Sequence, residues 1–292
     1  MTKFKQIIAF DLRSLALFRI GLAFMVMADL ISRASAGGLL AHYTDTGVLP
    51  RQVLSNELLH PWYWSLHLIS GGTFFQVLLF ILAFFSALAL LFGYHTRVAI
   101  IATWILNVSL QNRNPALIFA GDDVMRAILF WSMFLPLGAN YSIDSALNSS
   151  NKPLPKVVAS GATFAFMVQL CFIYIWSAAY KTKSNIWWPD GDGVYYSLSF
   201  DQYVTGLGQW LLGFPHPFLK YLTFVTLVFE GVGPLMIFIP FYNNFFRIVA
   251  IISFMLLHLV FGLCFQIGVL SSLSIFIWSA LIPSVVWERV AQ

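Results

Sequence analysis

A chain of 292 residues that is 59% hydrophobic and only 10% charged is not an ordinary soluble domain, in which about 25% of residues carry charge. Its formal net charge of +4 is scattered along the chain, which argues against a nucleic-acid partner, since such proteins gather basic residues into a patch. Apolar runs close to the roughly 20 residues that cross a bilayer predict an all-α, polytopic membrane bundle of about eight transmembrane helices in a single domain, residues 1–292, with membrane lipids as its first partners.

The N-terminus imitates a signal peptide. Lys3 and Lys5 precede an apolar run from Leu15, and Ala34, Ser35 and Ala36 resemble a cleavage site. The run nevertheless carries Arg19 and Asp29 and extends to Ile31, so we read 14–33 as a first span that is kept. A long loop, 34–72, follows, rich in Gly, His and aromatics and holding Tyr43 and Asp45. Spans are then predicted over 73–94, 97–112 and 120–138, of which 97–112 is short. "SALNSSNKPLPK" at 145–156 reads as a polar connector. A fifth span, 157–180, leads into a second long loop, 181–218, and spans over 219–241, 246–268 and 270–287 complete the chain. Loops of this length beside a bundle are functional or fold back on it. The short connectors 93–97, 139–156 and 242–247 carry Arg97, Lys152, Lys156 and Arg247 on one side, which predicts cytoplasmic termini and non-cytoplasmic long loops. Cys171 and Cys264 sit in apolar runs and read as packing residues.

The strongest signal is charge where lipid should be. Arg19, Asp29, Asn112, Arg113, Asn114, Asp122, Asp123, Arg126, Glu230 and His258 lie in or at the ends of predicted spans, and Lys181 ends the fifth. An ionised group near a helix centre costs on the order of 2.5–3.5 kcal/mol, so these residues must pair with one another or line a wet cavity. Arg19, Asp29, Arg126, Asp122 or Asp123, and Glu230 balance well enough for mutual neutralisation. Asp122 and Arg126 are i, i+4 and share a helix face. Both aspartates of "GDD" also follow Gly121 at an expected helix start, where carboxylates cap and meet the dipole favourably. A buried cap with a packing salt bridge and the polar wall of a substrate cavity are both open readings.

His258, with Gly262 and Gln266 at i+4 and i+8, marks one small, polar-tolerant stripe; a hydrogen-bonded packing residue and a site residue are again both open. Glu230 precedes Gly231, Gly233 and Pro234, which predicts local unwinding, tolerable in a membrane only beside protein or a cavity. Lys181 either snorkels to the headgroups or is desolvated enough to act as a base. His60 and His67 lack the companions of a zinc set, and "GDG" at 191–193 reads as a turn, so no metal is expected.

"LALFRIGLAF" with Asp29, "HYTDTGVLP" at 42–50, "NRNP" at 112–115, "GDDVMRAILFW" at 121–131 and "LPLGANYSID" at 135–144 resemble the HTTM membrane domain. That domain forms the transmembrane core of vitamin K-dependent gamma-glutamyl carboxylase and of many bacterial proteins, among them SdpB-type proteins that assist maturation of a secreted antimicrobial peptide. The resemblance implies a bacterial inner-membrane protein acting on a quinone-like lipid or a peptide. It implies carboxylase- or epoxidase-like chemistry if the protein is an enzyme. Lys181, in "YIWSAAYK", would be the base, with Lys183 its rival, and His258 would lie near it. In the carboxylase a histidine stands near the position of Asn114 or Pro115, and a large β-rich region follows the membrane core; by these departures the resemblance does not extend to glutamate carboxylation.

A transporter with the paired charges as its coupling site, and a membrane scaffold whose buried ion pairs only fix packing, are the competing readings.

Overall fold

The structure, a computed structural model, describes residues 3–54, 63–148 and 155–290. It is almost entirely helical and divides into two compact units, Leu15–Leu154 in one and Met1–Ser14 with Pro155–Gln292 in the other.

In the first unit, helix α1 (Leu12–Ala34) continues through a kinked 3-10 turn, where Ala36 and Gly37 adopt positive φ, into a short helix ending at Tyr43. Helix α2 (Thr73–Phe92) is built from Leu, Phe and Ala and stops at Gly93 (φ 66°), whose N–H, with that of Tyr94, returns to the last carbonyls. A Cβ at Gly93 would lie 2.4 Å from the Ser142 side chain and 2.7 Å from Arg19 Nη1. Only glycine supplies both this turn and this close approach. Helices α3 (Thr96–Arg113) and α4 (Ala120–Ser132) follow, α2 packing on α3 and α3 on α4. The one-turn α5 (Ile143–Ala146) begins on a Ser142 cap.

The second unit opens on a two-strand ladder, β1 (Phe10–Asp11) against β2 (Val157–Val158), antiparallel with Phe10 opposite Val158. Helix α6 (Gly161–Lys181) starts on a reciprocal cap: Ser160 Oγ accepts from the Thr163 N–H at 3.3 Å, and Thr163 Oγ1 accepts from the Ser160 N–H at 2.9 Å. Two short helices, α7 (Gly193–Leu198) and α8 (Gly206–Leu212), occupy the long loop. Helix α9 (His216–Val232) packs on α6, and α10 (Asn243–Cys264) on α11 (Leu270–Ser279). Helix α12 (Ser284–Val290) comes last. The core is aromatic: Phe254 stacks on Trp278 with ring centres 4.4 Å apart and on Phe229 at 4.3 Å.

Among the described residues five segments are long and apolar enough to cross a membrane, Leu12–Tyr43, Thr73–Phe92, Gly161–Lys181, His216–Phe238 and Asn243–Cys264. They match five of the expected spans. The expected 270–287 is the pair α11 and α12, bent by 86°; Pro283 stands in the break, where it cannot donate to a continuing helix. The expected 97–112 is helical, but α3 carries Arg97 and ends in Gln111, Asn112 and Arg113. The expected 120–138 stops at Ser132 after 13 residues, about 20 Å of helix against a hydrocarbon core of about 30 Å.

Candidate functional site

Each unit holds a buried cluster of polar residues. In the second unit, Tyr174, Ser177 and Lys181 fall at i, i+3 and i+7 on α6 and so share one face. Lys181 Nζ donates to Glu230 Oε2 at 2.5 Å, and Ser177 Oγ donates to the same oxygen at 3.1 Å. The two partners differ in access: the Lys181 side chain is 21% exposed, the Glu230 side chain 4%. The ammonium also lies 4.9 Å above the Trp187 ring, a cation–π contact that holds it without neutralising it. Lys183 is exposed and rests on the rings of Trp176 and Tyr180.

Glu230 is set by a helix that ends around it. Pro234 lacks the N–H that the Glu230 carbonyl would take in a continuing helix, and α9 gives way to a 3-10 stretch over Gly233–Phe238. The Pro234 carbonyl accepts from Cys171 Sγ at 3.3 Å.

Beside this pair, within Coulombic range of it, Tyr174 Oη lies 2.7 Å from His258 Nε2 and accepts from Trp278 Nε1 at 2.8 Å. Indole N–H only donates, so the Tyr174 oxygen accepts there; toward His258 it donates or accepts according to the imidazole tautomer. His258 Nδ1 is buried without a hydrogen-bond partner.

The first unit's cluster centres on Arg33, the last residue of the expected first span. Its Nε donates to Asp29 Oδ2 at 2.7 Å, its Nη1 to Tyr43 Oη at 3.1 Å and its Nη2 to Asp122 Oδ1. Asp122 also caps α4, its Oδ2 accepting from the Phe119 N–H at 2.9 Å. Gln111 Nε2 donates to the Asp122 carbonyl at 3.0 Å, and Gln111 Oε1 accepts from Arg126 Nε at 2.8 Å.

The expected pairings are therefore corrected. Asp122 bonds Arg33 rather than Arg126, because Arg33 can fork between two carboxylates and a hydroxyl while Gln111 holds Arg126. Asp29 likewise belongs to Arg33. Arg19, ten residues earlier on α1 and so about 15 Å away along the helix, donates to the carbonyls of Leu137 (2.9 Å), Asn140 (3.3 Å), Tyr141 (2.6 Å) and Leu91 (3.5 Å). Asp123 is exposed and outside the cluster.

Asn112, Arg113 and Asn114 tie the end of α3 to neighbouring backbone, donating to the carbonyls of Trp64 (2.9 Å), Thr44 (3.3 Å) and His42 (3.1 Å). Asp45 takes the Arg51 guanidinium side-on at 2.7–3.0 Å, and these hydrogen bonds hold its carboxyl below the ordinary range. Buried His67 bonds Gln76 Oε1 through Nδ1 at 2.6 Å; His60 lies outside the described residues. Among the described residues no three His, Cys, Asp or Glu converge as a metal site.

Sequence reasoning passed over Arg33, Ser177, Tyr174, Gln111 and Trp278. Three of these carried a readable signal: Asp29 and Arg33 are i, i+4, and Tyr174, Ser177 and Lys181 form a helical stripe.

No protein-family model matches the chain, and no curated protein or solved structure does either.

Proposed function

We propose that this chain is an HTTM-type membrane protein in which Lys181, held by Glu230, exchanges a proton with a hydroxyl-bearing, quinone-like lipid. The observation that carries this reading is the asymmetric pair itself, a sealed carboxylate bonded to a lysine that keeps a fifth of its surface open.

In this reading the ammonium first gives a proton to Glu230 Oε2 along their hydrogen bond, with Ser177 bonded to the same oxygen, and the freed Nζ lone pair turns to the ligand. Lys181 Nζ then takes the ring hydroxyl proton, leaving an oxyanion beside an ammonium. Trp187 stabilises that ammonium through its ring face. The bound lipid supplies the acidic O–H and, once ionised, an electron-rich ring that reacts with dioxygen. His258 Nδ1 is the nearby buried ring nitrogen left without a partner.

On the same reading the chain crosses a bacterial inner membrane eight times, the third crossing being α3 and the fourth α4 together with the non-helical residues 133–138. Both termini are cytoplasmic and the loops 34–72 and 181–218 face away. The polar ends of α3 and α4 support this, since they meet backbone and side chains of their own unit rather than lipid.

The test is oxygen uptake by the full chain in nanodiscs supplied with a reduced naphthoquinone. Uptake should exceed that of empty nanodiscs and fall to the empty level in both Lys181→Met and Lys181→Arg, the latter because a guanidinium does not give up its proton. Wild-type uptake from both variants, shown by thermal unfolding to be folded, would overturn the proposal.

A further inference from the structure

The first unit contains an open groove of about 510 Å³ that the Lys181 reading does not use. Its walls are apolar, Ile20 from α1, Leu91 and Phe92 from the end of α2, and Ile143 and Ala146 from α5, and the charged residue on its floor is Arg19. Arg19 is fully buried, and it bonds only carbonyl oxygens, with Nε left without an acceptor. Asp144 lies within Coulombic range, but its oxygens are taken by the N–H groups of His95 and Thr96 and by the Thr96 hydroxyl. A guanidinium held by dipoles keeps its charge, and beside low-dielectric walls that charge reaches further than in water.

The backbone here is shaped around the arginine. Tyr141 adopts φ 46°, a conformation rare for a side chain of its size, and its carbonyl makes the shortest Arg19 bond, 2.6 Å. Arg19 also sits seven residues into α1, about 10 Å along the helix, at the level where the C-terminal end of α2 meets it.

We infer that this groove binds an anionic phospholipid, the phosphate drawn to Arg19 and an acyl chain lying along Ile20, Phe92 and Ile143. The volume falls in the range of small-molecule sites, about 300–1,000 Å³. A free phosphate compound has the charge but nothing to lay against the walls, and a zwitterionic lipid has the chains but no net charge for Arg19.

The test follows thermal unfolding of the full chain in dodecyl maltoside by tryptophan fluorescence, with dioleoyl phosphatidylglycerol, dioleoyl phosphatidylcholine or glycerol 3-phosphate added. Phosphatidylglycerol near saturation should raise Tm by on the order of 3 °C, and the other two should not. Ala146→Trp fills the groove from an exposed position; it should keep the phosphatidylcholine Tm and lose the phosphatidylglycerol shift. Equal shifts with both lipids, a shift with glycerol 3-phosphate alone, or a phosphatidylglycerol shift that persists in Ala146→Trp would each overturn the site.

Discussion

Arg33 and Lys181 are both cations in the last turn of a long apolar helix, yet they end in different chemistry. Arg33 divides its guanidinium among Asp29, Asp122 and Tyr43, with its side chain 12% exposed and the carboxylates 10% and 4%. Lys181 has one carboxylate, a shared serine and an open side. A planar fork with five donors can close a cluster on several fixed acceptors, whereas an ammonium on a flexible stem can change partner. The first arrangement suits holding helices together. The second suits moving a proton.

The largest expected effect breaks the closed cluster. Arg33→Met leaves two buried carboxylates without their cation and should cost about 3–5 kcal/mol, the range for removing one partner of a sealed ion pair. Adding Asp29→Asn and Asp122→Asn should restore most of that loss in thermal unfolding of the detergent-solubilised chain. A single variant as stable as wild type would mean that the cluster does not hold α1, α3 and α4 together.

Glu230→Gln sharpens the contrast from the other side. Lys181 still reaches solvent and keeps Trp187, so the expected loss is about 1–2 kcal/mol, between exposed and sealed pairs. A loss equal to that of Arg33→Met would make the two clusters the same kind of object, and Lys181 would then be a packing residue.

Much of this contrast was readable before any fold was known, but unevenly. Apolar run length announced a helical membrane protein, and Gly231, Gly233 and Pro234 announced the break after Glu230. Lys181 stood out as a charge at the end of an apolar helix. The number of membrane-length helices was less legible, because hydropathy along 120–138 cannot show that α4 ends at Ser132. The pairings were least legible. Arg33 meets Asp122 across 89 positions and Lys181 meets Glu230 across 49, and i, i+4 reasoning sees only local partners. It therefore joined Asp122 to Arg126, when a better-placed guanidinium arrives from another helix.

Asp144 shows a third way of keeping a carboxylate, and the smallest expected effect. It has no cation in hydrogen-bond contact among the described residues; instead its oxygens accept from the His95 N–H at 2.8 Å, the Thr96 N–H at 2.7 Å and the Thr96 hydroxyl at 2.6 Å, at the start of α3. Burial alone would raise its pKa, but the Thr96 and His95 bonds outweigh burial and hold it below the ordinary value. The unfolded chain therefore binds this proton first as pH falls. The stabilisation is complete above the unfolded aspartate value of about 3.9 and is lost as pH drops through the lower folded value. Asp45, held low by Arg51, acts in the same window, but its side chain is 38% exposed and solvent screens it. Asp144→Asn should cost about 0.5–1 kcal/mol at pH 7, as the loss of a charged helix-start acceptor does, and should flatten the fall in stability between pH 5 and pH 3 more than Asp45→Asn does. An undiminished acid slope in Asp144→Asn would show that this carboxylate is not among the groups whose protonation loosens the first unit.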